Sequence, residues 1–157
     1  MRAMLASPPR LVLDTNVALD VFVFGDPVGG AIRAALAAGE VALVVDEACR
    51  EEWIAVLGYP ALGLSAERRE AALQDFDAHV QCLQALMLPP GRKLPRCADP
   101  DDQKFLELAL ASGACWLLSK DKAVLQLARR IAREGWFQIL PPAAWQRPSL
   151  VTGFTPP

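Results

Sequence analysis

Four short apolar runs, RLVL at 10–13, VALVV at 41–45, CWLLS at 115–119 and FQIL at 137–140, are separated by stretches with apolar residues at helical spacing. Runs of that length without internal proline read as buried strands. Strands that alternate with helices pair in parallel, because the crossover helices must lie on the faces of the sheet. The expected fold class is therefore α/β: one domain with a central, mostly parallel β-sheet flanked by helices on both faces. Its expected limits are residues 10–146, after an N-terminal extension at 1–9 and before a loose, proline-flanked tail at 147–157.

Between the strands, NVALDVFVF reads as a helix broken by GDPVGG, and AIRAALAAGE as the helix that leads to the second strand. Asp46 stands where an N-cap belongs, ahead of a helix with Cys49, Trp53, Val56 and Leu57 on one face. Ser65 caps the next, which reads as continuous over AERREAALQDFDAHVQCLQAL, residues 66–86, and these two helices form an arm packed on the sheet. The longest loop is LPPGRKLPRCADP, where prolines forbid regular structure.

Composition narrows the chemistry. The chain has 157 residues, enough to bury roughly two-thirds of its unfolded surface, with 53% apolar and 22% charged residues. A net charge of −2 argues against nucleic-acid binding through overall positive charge and leaves only a local basic face. Cys49, Cys82, Cys97 and Cys115 are far apart and His79 is the one histidine, so neither zinc nor a disulfide framework is suggested. No signal-peptide core and no membrane-length apolar run is present, which implies a cytoplasmic protein with no membrane partner.

The informative residues are acids at strand ends. Ligands of parallel α/β sheets sit beyond the carboxyl ends of the strands. Asp14 ends the first strand, Asp121 follows the third, the group Asp99, Asp101 and Asp102 opens a helix after the long loop, and Glu51 and Glu52 lie one turn into the helix after the second strand. Taken singly, Asp101 and Asp102 read more readily as helix caps, and Asp121 as a turn residue, than as ligands. Asp14 fits that explanation least, because it interrupts an apolar run, and a buried carboxylate needs a cation or several donors.

Should these acids converge, divalent ions relieve their repulsion, and oxygen-only ligation favours Mg²⁺ or Mn²⁺ over zinc. Carboxylate-bound Mg²⁺ or Mn²⁺ suits phosphodiester hydrolysis. No G-x-x-x-x-G-K-[ST] and no G-x-G-x-x-G follows the first strand, and Asn16 stands where a phosphoaspartate phosphatase needs its second Asp.

Four blocks in this order resemble the PIN-domain family of metal-dependent ribonucleases: VLDTNV at 12–17, EEWIAVLGYPAL at 51–62, DPDDQKFLELALASGA at 99–114 and LLSKDKAVL at 117–125. In particular they resemble the branch that supplies the toxins of bacterial toxin–antitoxin pairs. The resemblance implies a PIN-like domain with Asp14, Glu52, Asp102 and Asp121 as the catalytic, metal-binding acids. Asn16 orients the cluster, Ser119 assists Asp121, Glu51 is the fallback for Glu52, and Asp99 and Asp101 are supporting acids or caps.

The same resemblance implies an RNA substrate, an antitoxin protein partner and a homodimer. Two positions depart from the family pattern, Trp53 in place of the usual Leu and Ala123 where relatives often carry another acid. Arg92, Lys93, Arg96, Lys104 and Lys120 form a basic group around the acids and are the expected RNA contacts, though a solvated face explains them equally. A non-catalytic RNA-binding PIN-like module and a structure-specific DNA nuclease are the competing functions.

Overall fold

The computed structural model describes residues 7–151, 153 and 154. The rest of the expected extension and tail, residues 1–6, 152 and 155–157, lies outside the described residues.

The first strand, β1 (Arg10–Leu13), leads directly into α1 (Thr15–Leu19), which widens into a π-helical turn at Asp20–Phe24. Helix α2 (Pro27–Ala37) starts earlier than expected: GDPVGG breaks the preceding helix at Gly25, as expected, but already begins the next one at Pro27. Asp26 accepts the N–H of Val28 and Pro27 occupies the first turn, where a missing N–H costs nothing. Gly29 sits there because a Cβ would come within 3.0 Å of the Asp20 carbonyl and 3.1 Å of Val21 Cα. That close approach seats α2 against the π turn.

Strand β2 (Ala42–Val45) is followed by α3 (Glu47–Leu57) and α4 (Ala66–His79), the expected arm, capped as expected by Asp46 and Ser65. Trp53 stacks on Phe76 at 5.0 Å between centroids, and Phe22 meets Phe76 edge-on at 5.5 Å, so an aromatic cluster fastens the arm to the π turn. Arg33–Asp75 and Arg50–Asp77 ion pairs at 2.8 and 2.6 Å span from α2 and α3 to α4. Both are part-exposed and add about 1 kcal/mol or less each.

The end of the arm also departs from the sequence reading. The second arm helix does not run to residue 86; it stops at His79, and Val80 turns extended (φ −104°, ψ 152°) to begin β3 (Val80–Cys82). Val80 and Leu83 fit a helical period, but β2 offers an open edge. Leu43 pairs Val80, Val45 pairs Cys82, and the N–H of Leu83 donates to Val45. Tertiary hydrogen bonding overrides local propensity here.

After the irregular long loop, α5 (Gln103–Ser112) lies on β1 and on β4 (Trp116–Leu118), and short α6 (Lys122–Leu125) and α7 (Ala128–Glu134) lead to β5 (Gln138–Leu140). The five strands run in the order β3-β2-β1-β4-β5 and every pairing is parallel. Residues 11–13 of β1 and every residue of β2 and β4 are buried, as helices on both faces require. The chain goes one way from β1 to β2 and β3, then returns to β1's other side for β4. That reversal opens a crevice at the carboxyl ends of β1 and β4.

The tail, expected to be loose, is tied down in its described part. The guanidinium of Arg147 and the N–H of Ser149 donate to Glu40, and Phe154 stacks on Trp116 at 5.4 Å. These partners hold the Glu40 carboxyl down to about 2, with the Arg147 hydrogen bond the largest cause.

Candidate metal centre

The crevice is a cleft of about 320 Å³ lined by Asp14, Glu52, Asp99, Asp102 and Asp121, with Leu19, Val56, Tyr59, Leu62 and Phe105 among its apolar walls. Each acid arrives by a local rule. Asp14 ends β1 and caps α1, its Oδ1 accepting the Val17 N–H at 2.9 Å. Asp121 follows β4 and caps α6 through the Ala123 N–H at 2.9 Å. Asp99 caps the 3₁₀ turn Pro100–Asp102 through the Asp101 N–H at 3.0 Å. Capping and clustering are therefore not alternatives, since one oxygen caps while the carboxylate still borders the cleft.

Asp102 makes no cap bond, and its Oδ2 is buried without a partner. Asp99, Asp102 and Asp121 each offer an oxygen within 4.8 Å of the other two. Burial, then the hydrogen bond and charge of Asp121, raises the Asp102 carboxyl to about 7, with Asp99 and Asp14 adding repulsion. A proton shared with Asp121 or a cation satisfies that orphaned oxygen. Oxygen donors without His or Cys fit Mg²⁺ or Mn²⁺, so the residues present suit the implied metal.

Asp14 is 3% exposed and stands behind this trio. Its burial raises its pKa, and the Ser119 hydroxyl, which donates to Oδ2 at 2.5 Å, and the Val17 N–H counteract the rise. Ser119 also accepts the Asp121 N–H at 3.0 Å, so one hydroxyl links the ends of β1 and α6.

Glu52 and Glu51 separate clearly. Glu52 faces the cleft, where Thr15 Oγ1 donates to Oε2 and Lys104 Nζ pairs with Oε1 at 2.6 Å. Glu51 faces a different hollow beside Asp46, Glu47 and Ala85. Asp101 is exposed, and Lys104 reaches its carbonyl, not its carboxylate. Asn16 lines the cleft but is exposed and makes no side-chain hydrogen bond to the acids. The hydrogen bonds to the Asp14 carboxylate come instead from Ser119 and the Val17 N–H.

The basic residues also divide. Lys104 is committed to Glu52, and Lys120 pairs with Asp20 at 2.6 Å. Arg92, Lys93 and Arg96, on the loop that ends at Asp99, are exposed with no acidic partner among the described residues. Of the expected RNA contacts, only these three present uncommitted charge.

Two positioning groups escape the sequence reading, Thr15 and Gln103, and a third, Asp99, is expected there only as a supporting acid or cap. Asp99 joins the trio as an equal of Asp102 and Asp121. Thr15 holds Glu52. Gln103, 7% exposed, accepts the Cys97 N–H at 2.7 Å and donates to the Pro95 carbonyl at 3.1 Å, anchoring the loop just before Asp99. The available signal is a polar residue at the buried start of α5, where the pattern calls for an apolar one.

No curated protein matches the sequence. Among solved structures, the chain is similar to the crystal structure of VapBC2 from Rickettsia felis bound to a DNA fragment from their promoter. That match has 11% sequence identity and a TM-score of 0.53, and it covers 83% of this chain and 96% of that one. Identity this low speaks for the fold alone. The family comparison is decisive: the PIN domain matches residues 10–123, a span that holds all five cleft carboxylates. The chain belongs to the PIN domain family.

Proposed function

We propose that this protein is a Mg²⁺- or Mn²⁺-dependent endoribonuclease and the toxin half of a toxin–antitoxin pair, acting in the cytoplasm and pairing with a second copy of itself. PIN domains are generally nucleases that use divalent metals. The observation that carries the reading is the convergence of Asp99, Asp102 and Asp121 in front of Asp14 at the switch point of the sheet. The similar solved structure is of VapBC2, which supports an antitoxin as partner.

In this reading Asp99, Asp102 and Asp121 hold the ion. The chemistry such an ion supplies when bound is a water of lowered pKa and relief of the charge that builds on the leaving oxygen. The rest belongs to the chain. Ser119 and the Val17 N–H keep the Asp14 carboxylate from rotating, and Gln103 fixes the approach to Asp99. Arg92, Lys93 and Arg96 attract the phosphates of the substrate. Tyr59, 54% exposed on the cleft wall, offers a face for an unpaired base.

The test is single-turnover incubation with labelled single-stranded RNA and DNA of equal sequence in Mn²⁺, Mg²⁺ or EDTA. RNA cleavage that needs the metal supports the reading. DNA cleavage alone replaces it with a DNA nuclease, and RNA binding without cleavage replaces it with a binding module.

A further inference from the structure

Glu52 carries its own cation. Lys104 Nζ sits 2.6 Å from Oε1, Thr15 Oγ1 donates to Oε2, and the carboxylate is about one-quarter exposed. Lys104 has two further contacts: its ammonium also donates to the Asp101 carbonyl and lies 5.3 Å from the centre of the Phe105 ring. An ammonium fastened by an ion pair, a carbonyl and an aromatic face is a built-in part of the site, unlike the solvated Arg92, Lys93 and Arg96.

The charges divide accordingly. Of the five cleft carboxylates, Asp99, Asp102 and Asp121 share one small volume without a cation, Asp14 has two hydrogen-bond donors, and Glu52 alone is paired with Lys. A divalent ion at Glu52 would stand within a few ångströms of a fixed positive charge, and like charges at that range disfavour binding strongly. At the trio no such charge intervenes.

We propose that Lys104 substitutes for a second metal ion at Glu52, so that the site takes one divalent ion, at Asp99, Asp102 and Asp121, and Glu52 is a positioning residue. This rests on the metal-dependent reading above, but its readout is independent of cleavage. Glu52 braces Thr15 at the start of α1 against Lys104 at the start of α5, fixing the two elements that carry Asp14 and Asp102 relative to one another.

The experiment is a Mn²⁺ titration of the full chain without RNA, with free Mn²⁺ read by electron paramagnetic resonance. Wild type is expected to bind one equivalent. Lys104→Met keeps the aliphatic stem and removes the charge, and it should gain a second, weaker equivalent. Lys104→Arg should stay at one, and Glu52→Gln/Lys104→Met should return to one, which also shows that the gained ion sits on Glu52. Two equivalents on wild type, none on wild type, or one on a folded Lys104→Met overturns the proposal. Cleavage is assayed in parallel: a count of one without cleavage removes the nuclease reading only, and metal-dependent cleavage with a count of two removes the Lys104 proposal only.

Discussion

The Ser119 hydroxyl lies 2.5 Å from Asp14 Oδ2, joining the end of β4 to the end of β1 across 105 residues of sequence. Ser119 is fully buried and Asp14 nearly so. Ser119→Ala removes a donor to Asp14 and the acceptor of the Asp121 N–H in one step. Its expected cost is about 1–3 kcal/mol of stability, read by urea denaturation. Single-turnover cleavage should fall by more than the folded fraction, because two acids lose their orientation.

The acid trio couples stability to pH. The Asp102 carboxyl is raised from 3.8 to about 7, so the folded state binds its proton more tightly than the unfolded chain does. Metal-free protein therefore loses stability as pH rises between those values, and the raised Asp14 acts with the same sign. Thermal midpoints in EDTA should decline across this window, and Asp102→Asn should flatten the decline. Added Mn²⁺ should raise the midpoint more at about pH 8 than at about pH 5.5, because the ion competes with the proton.

Gln103 is the anchor of the long loop. Gln103→Leu keeps the bulk and leaves the Cys97 N–H and the Pro95 carbonyl unpaired, an expected loss of about 1–3 kcal/mol. Asp99 lies downstream of both contacts, so Mn²⁺ affinity should weaken by titration calorimetry even where the variant is fully folded.

Charge on the loop should set the salt dependence of RNA binding. Replacing Arg92, Lys93 and Arg96 together by Gln removes three uncommitted charges. On single strands each phosphate contact contributes about 0.7 to the slope of log K against log salt, so the slope should shrink by about 2. Lys120→Gln, which breaks an ion pair with Asp20, should change it far less. Filter binding on a catalytically silent background at several salt concentrations measures both.

What was legible in the sequence and what was not follows the range of the interactions. Asp14 and Asp121 could be placed because their position depends only on where an apolar run ends and on parallel pairing. Asp102 followed from the start of α5. Asp99 reads as a supporting acid or a cap, and it caps the turn while its carboxylate joins the cluster, which the cap bond alone does not reveal. Glu51 and Glu52 differ by one helical step, and only the packing of α3 beside Thr15 and Lys104 decides which faces the cleft. Strand β3 was hidden because Val80 and Leu83 fit a helix until the open edge of β2 is known. Lys104 and Lys120 are indistinguishable in sequence from the free basic residues, because ion pairing between distant segments leaves no local trace.

Asp121, with Asp99 and Asp102, would hold the divalent ion on which the proposed RNA cleavage depends. The most direct measurement is single-turnover cleavage of labelled RNA in Mn²⁺ by wild type and by Asp121→Asn, whose side-chain oxygen can still accept the Ala123 N–H and keep the cap. The expected result is metal-dependent cleavage by wild type and a loss of at least about a hundredfold in the variant, equivalent to about 2.7 kcal/mol of transition-state stabilisation. Equal cleavage by a folded Asp121→Asn, or cleavage by wild type that persists in EDTA, would contradict it.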